Sequence, residues 1–205
     1  MDAVPSGSAV AIGTFAKQLQ VSEWGDRELA RTQILHLKDQ NPKGYTALYS
    51  SVGAAAEHFV GTQFADVIYL VTDGGDTSSR ASVGRLAGDL LKRGVRVFVF
   101  LVGPFEEPKT PEERQGPQDM EELAMQTGGL LIQIPWSKDW VSSGEAAVEA
   151  KRIQRAASSP YQLAIQLPSP LTKPAKLKIE TALDPKRYTV AYPHRLEPCL
   201  SPPQP

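Results

Sequence analysis

Two short loop sequences carry a hydroxyl and a carboxylate that could share a metal ion. Thr46 lies in the sequence GYTAL, and Asp73 directly follows the mainly apolar segment 66–72 in the sequence TDGGDT. Mg²⁺ accepts such oxygen ligands while it keeps several waters. We therefore predict that Thr46 and Asp73 are metal ligands. Three neighbouring residues are predicted to be accessory to this site: Gly44, Gly74 and Asp76.

Three of these residues also have a purely structural interpretation. Asp73 and Asp76 could form the turn, because an Asp side chain bonds its own downstream amides. The turn-forming interpretation is preferred for Asp76. Thr46 could be a helix N-cap, a role that is compatible with metal binding. Ser79 is predicted to cap the following helix, and Ser6 to Ser8 form a flexible N-terminal turn.

Strands and helices alternate along the first three quarters of the chain. The predicted strands are residues 9–15, 19–21, 66–72, 95–102 and 130–134. Helical apolar spacing begins at Asp26, which is predicted to be the N-cap of the first helix. Further helices are predicted at 47–60, from Ser79 to Arg93, at 120–127 and at 142–157. Residues 104–118 are predicted to be an exposed loop. This order predicts a Rossmann-like α/β fold with an open, mainly parallel sheet flanked by helices. Ligands bind such sheets at the carboxyl ends of the strands.

The character of the sequence changes after residue 157. Short extended runs at 161–167, 175–180 and 187–192, separated by turns, predict a small antiparallel β appendage. We therefore divide the chain into an α/β domain (1–157), the appendage (158–197) and a disordered Pro-rich tail (198–205).

The composition excludes some classes of function. The chain has 205 residues and a formal net charge of −1, so no basic surface predicts nucleic-acid binding. Cys199 has no second cysteine with which to form a disulfide. No apolar run is long enough for a membrane span. The first residues lack the features of a signal peptide, and the location is not predicted.

Four ordered sequence blocks resemble the von Willebrand factor A (VWA) domain. They are GYTALYSSVGAAAEHF, DVIYLVTDGGDTSS, RGVRVFVFLVG and MEELAMQTGG. The resemblance covers residues 9–155. It implies a metal-ion-dependent adhesion site in which Thr46 and Asp73 match two family ligands, and whose open position takes an acidic side chain of a protein partner. The appendage is similar to that of the bacterial VWFA-related group first noted in Acidobacteria, whose members are often exported.

The sequence departs from the VWA pattern at its start. The family's first strand and its Asp-x-Ser-x-Ser loop have no counterpart, so the adhesion site is expected to be partial and its affinity weak. That strand lies in the middle of the family's sheet. Its absence predicts either that the flanking strands pair directly or that unpaired backbone groups line a cleft.

These observations favour a binding module and leave two alternatives open. The first alternative is a metal-assisted hydrolase that uses Asp73 and Asp76 to activate water. We predict that the chain is not an enzyme, because these loops offer no third carboxylate, no histidine and no nucleophile–base pair. The second alternative is a degenerate domain that contacts partners without a metal.

Overall fold

The computed structural model describes most of the chain, in the stretches 4–37, 44–61, 66–103, 110–135, 144–158, 160–184 and 190–198. The strands are β1 (Gly13–Phe15), β2 (Leu19–Val21), β3 (Val67–Thr72), β4 (Arg96–Gly103), β5 (Leu131–Pro135), β6 (Ala175–Lys176) and β7 (Arg195–Leu196). The helices are α1 (Arg27–His36), α2 (Leu48–Glu57), α3 (Val83–Lys92), α4 (Pro111–Thr127) and α5 (Glu145–Ser158). Among the described residues, no helix is both long and apolar enough to cross a membrane.

A three-stranded parallel sheet forms the centre of the fold. Its order is β3-β4-β5, with Tyr69 opposite Phe98 and Val99 opposite Leu131. β4 lies between the other two strands, and its apolar residues run on without alternation because both of its faces are covered. The predicted α/β fold with an open parallel sheet is confirmed.

Helices cover both faces of this sheet. On one face, Val97 and Val99 pack in a cluster with apolar residues of α2, α3 and α4. On the other face, Phe98 packs with Ile132 and with Ile153 of α5. Successive residues of a strand point to opposite faces, so β4 contributes to both clusters. Helices on both faces of a parallel sheet give the Rossmann-like arrangement.

The first two strands form a separate hairpin. β1 pairs antiparallel with β2, and the predicted strand at 9–15 is shortened to Gly13–Phe15, with one isolated bridge from Val10 to Gly25. Among the described strands, β4 is the only partner of β3. Of the two predicted alternatives, direct pairing of the flanking strands does not occur among the described residues, and one edge of β3 has no partner strand there.

The loop predicted at 104–118 is wrong for its second part, because residues 111–118 form the beginning of α4, and its first part, 104–109, lies outside the described residues. Pro111 occupies the first helical position, where the missing amide would have had no helical partner. Pro117 lies inside the helix, and the richness of the segment 104–118 in Pro, Glu, Lys and Arg suggested a loop. Burial of Met120 and Leu123 against the sheet stabilises the helix in spite of it.

The helix caps confirm one prediction and correct another. Asp26 caps α1, and its carboxylate accepts from the amides of Glu28 and Leu29 at 3.0 and 2.8 Å. Ser82, and not Ser79, caps α3 through the amide of Arg85. Residues 6 and 7 lie in a turn, as predicted.

The carboxyl-terminal region contains a small antiparallel pair, β6 with β7. Residues 161–167 form no strand, and the strand predicted at 175–180 is limited to its first two residues. The prediction at 187–192 lies partly outside the described residues, and 190–192 are not a strand. β6 pairs instead with residues further along the chain, where the amide of His194 bonds the Met125 carbonyl of α4 at 3.2 Å. The tail from 199 lies outside the described residues, and the domain boundaries stay predictions.

Candidate functional site

The two predicted ligand loops lie next to each other at the carboxyl end of β3. Thr46 precedes α2, and Asp73 directly follows β3. The loop after β3, residues 73–79, is called the Asp73 loop. Four hydrogen bonds join the backbone of Thr46 to Thr77 and Ser78 of this loop. The Thr46 amide donates to Thr77 Oγ1 at 2.8 Å. The Thr46 carbonyl accepts from the amides of Thr77 and Ser78 at 2.9 and 3.2 Å, and from the Thr77 hydroxyl at 3.3 Å. The structure therefore joins the two loops directly.

The Asp73 loop also caps helix α2. The N-cap residue of α2 is Ala47, which has no side-chain cap, so the interpretation of Thr46 as an N-cap is not supported. The Tyr49 amide donates instead to Asp76 Oδ2 at 2.9 Å. The Ser50 amide donates to Ser79 Oγ at 3.0 Å. Two free amides of the first helical turn are thus bonded by a loop that follows 27 or more residues later in the chain.

Both oxygens of Asp76 are engaged by backbone amides. Oδ2 accepts from Tyr49, and Oδ1 accepts from Ser78 and Ser79 at 3.1 and 2.8 Å. Burial by itself would raise the pKa of Asp76, but the hydrogen bonds from the Ser79 hydroxyl and from these amides outweigh it and lower the pKa below its ordinary value. Asp76 therefore acts as an anionic cap, which agrees with the turn-forming interpretation.

Asp73 has a different environment three residues earlier. Its side chain is exposed, and Oδ1 accepts from the Gly75 amide at 3.1 Å. Thr46 is half-buried. Within the described stretches, no group of three or more His, Cys, Asp or Glu residues could hold a metal ion. One carboxylate and one hydroxyl suit a hydrated Mg²⁺, which takes one or two carboxylates and keeps several waters.

The two accessory glycines differ in their surroundings. Gly44 has a φ of +110°, a conformation that favours glycine, but a Cβ there would meet no atom within 4 Å. Gly74 has a φ of +87°, and a Cβ there would lie 2.9 Å from the carbonyl carbon of Gly116. Gly74 is therefore required for a close backbone contact between the Asp73 loop and α4.

A tyrosine joins α2 to α4 beside the site. The Tyr49 hydroxyl donates to Asp119 Oδ2 at 2.5 Å, and Asp119 Oδ1 accepts from Gln115 Nε2 at 2.9 Å. Burial, followed by the hydrogen bond to Asp119, raises the pKa of Tyr49. The phenol therefore stays protonated and remains a donor at neutral pH.

Sequence reasoning missed four residues around the site: Tyr49, Thr77, Gly116 and Asp119. Thr77 lay within the TDGGDT turn, and its hydroxyl next to a predicted ligand loop was a usable signal. Gly116 lay in the segment interpreted as a loop (104–118), and Asp119 lay between that segment and the predicted helix at 120–127. No spacing in the sequence connects them to residues some 40 or 70 positions away.

Comparison with known proteins supports the fold. No protein-family model matches the sequence, and no curated protein matches it. The structure is similar to the crystal structure of the conserved hypothetical protein BatB from Bacteroides thetaiotaomicron, with a TM-score of 0.55 and 18% sequence identity. The match covers 77% of this chain and 83% of that chain. At this level of identity the likeness shows a shared α/β fold and no more.

Proposed function

We propose that this chain is a protein-binding module of the VWA type, with a partial metal-ion-dependent adhesion site. Thr46 and Asp73 would hold a hydrated Mg²⁺, and an acidic side chain of the partner would take an open position on the ion. The observation that carries the proposal is the set of hydrogen bonds between the Thr46 backbone and the loop that begins with Asp73. This arrangement puts one hydroxyl residue and one exposed carboxylate at the ligand-binding end of a parallel sheet.

The surroundings of Asp73 and Asp76 favour a binding role over hydrolysis. The alternative hydrolase would use both Asp73 and Asp76 to hold an ion that activates water. Asp76 uses both oxygens to bond the amides of α2 and of its own loop. That leaves Asp73 as the carboxylate of this loop available to an ion, so we propose that the chain is not an enzyme.

Metal titration of the folded chain tests this function. We expect Mg²⁺ or Mn²⁺ to raise the midpoint of thermal unfolding, because an ion that binds only the folded state stabilises it. At ten times the dissociation constant the gain is about 1.4 kcal/mol. Asp73→Ala should abolish the shift. Asp89→Asn, which removes an exposed carboxylate of α3, is the matched control and should retain it.

Two results would contradict the proposal. If neither ion shifts the midpoint and Asp73→Ala still binds the same partners, the chain is a metal-free interaction domain. If the wild-type chain turns over generic phosphoesters and Asp73→Ala does not, the chain is a hydrolase.

A further inference from the structure

The beginning of α4 contacts a residue beside each candidate ligand. Gly74 directly follows Asp73, and its backbone meets Gly116 so closely that a Cβ on Gly116 would lie 2.6 Å from the Gly74 carbonyl oxygen. Tyr49 lies three residues after Thr46, and its hydroxyl bonds Asp119. One helical segment, residues 115–119, therefore contacts the Asp73 loop and the first turn of α2, which directly follows the Thr46 loop.

Together these contacts connect α2, α4 and the Asp73 loop to one another, and Tyr49 makes two of them. Its amide donates to Asp76 of the Asp73 loop at 2.9 Å, while its hydroxyl donates to Asp119 of α4. The Gly74–Gly116 contact returns from α4 to the Asp73 loop. Each of these three elements, which are distant in sequence, thus contacts the other two. A shift of one element would break a contact with another.

The groups that make these contacts are themselves held in place by their surroundings. Gln115 donates to the second oxygen of Asp119, which fixes the plane of that carboxylate. A hydrogen bond to an ionised acceptor is stronger than one between neutral groups. Tyr49 and Gly116 are half-buried and buried, which limits competition from water.

We propose that residues 115–119 of α4 form a positioning segment for the candidate metal site, with Tyr49 and Asp119 as its positioning residues. The segment sets the relative placement of the Thr46 and Asp73 loops before any ion or partner binds. The role in metal binding rests on the proposed function, whereas the placement of the loops does not.

Amide hydrogen exchange in Tyr49→Phe tests the placement without a metal. The amides of Thr77 and Ser78 both donate to the Thr46 carbonyl and report whether the loops stay joined. We expect them to exchange about tenfold faster in the variant, relative to the Val99 amide of the central strand. That ratio removes any general loss of stability. Tyr69→Phe, which removes the hydroxyl of a tyrosine on β3 that has no hydrogen bond to α2, α4 or the Asp73 loop among the described residues, is the matched control and should leave the ratio unchanged.

Metal affinity provides the second measurement. By analogy with outer residues that orient metal ligands, Tyr49→Phe and Asp119→Asn should each weaken Mn²⁺ binding roughly tenfold, and Tyr69→Phe should not. Unchanged exchange ratios in Tyr49→Phe and in Asp119→Asn would overturn the positioning role, even if the wild-type chain binds Mn²⁺. If exchange is faster in these variants but the wild-type chain binds no Mn²⁺, the positioning role is supported and the proposed function is contradicted.

Discussion

The carboxyl end of β3 and the unpaired edge of the same strand have very different surroundings. At its carboxyl end, the Asp73 loop is hydrogen-bonded to the start of α2 by both backbone and side chains. Along its free edge, no described strand pairs with it, and Tyr69 and Val71 are 42% and 62% exposed. Polar groups are thus satisfied at the loop end, while apolar side chains remain uncovered at the edge.

This difference separates the part of the fold that is held in one geometry from the part that is not. At the loop end, a glycine pair, a capping carboxylate and a tyrosine each fix one contact. At the edge, a strand with the apolar sequence of a buried element has no second partner strand among the described residues. Substitutions at the loop end should therefore alter stability much more than substitutions along the edge.

The largest effect is expected where two backbones touch. Gly116→Ala introduces a Cβ that would lie 2.6 Å from the Gly74 carbonyl oxygen, and we expect a loss of about 1–3 kcal/mol in the free energy of unfolding. Gly84→Ala is the control, because it is also helical and its Cβ would meet nothing closer than 3.8 Å. The control should be neutral or stabilising, by up to about 1 kcal/mol. Equal effects in the two chemical denaturation experiments would refute the close contact.

The two aspartates of the loop should give an intermediate effect of unequal size. Asp76→Ala removes the carboxylate that caps α2 and accepts from three amides, and should lower the free energy of unfolding by about 0.5–2 kcal/mol. Asp73→Ala removes an exposed side chain and should change it by less than about 0.5 kcal/mol. A larger loss for Asp73 than for Asp76 would reverse the roles assigned here.

The pH dependence sharpens the same comparison. The pKa of Asp76 is lowered in the folded state. The contribution of its carboxylate to the free energy of unfolding is therefore fully present above the unfolded-state pKa of about 3.9. It is lost as the pH falls through the folded-state value. The stability difference between the wild-type chain and Asp76→Ala should therefore shrink below about pH 4. Urea unfolding at neutral and acidic pH measures it, and a difference that grows on acidification would contradict the assignment.

The smallest effect is expected on the free edge. Val71→Thr replaces a side chain that is 62% exposed and should change the free energy of unfolding by less than about 0.5 kcal/mol. The same substitution at Val99, which is fully buried in β4, should cost about 1–3 kcal/mol because a hydroxyl would be buried without an assured partner. Similar losses at both positions would show that something covers the edge of β3.

Local sequence patterns were sufficient for much of the fold. The apolar run at 66–72 and the helical spacing near Leu86 and Leu90 follow from short-range periodicity, and both elements formed as predicted. The predicted proximity of the Thr46 and Asp73 loops rests on a general property of parallel sheets. These features depend on residues close together in the chain or on the order of strands and helices, both of which a sequence contains.

Only the tertiary structure decided how the site is held. Residues 111–118 became helical although the composition of this segment suggested a loop, because packing outweighed local preference. Ser79 caps α2 and not the helix that follows it, and Asp119 bonds a tyrosine 70 positions earlier. Such contacts depend on which surfaces meet after the chain has folded, and no spacing along the sequence encodes them.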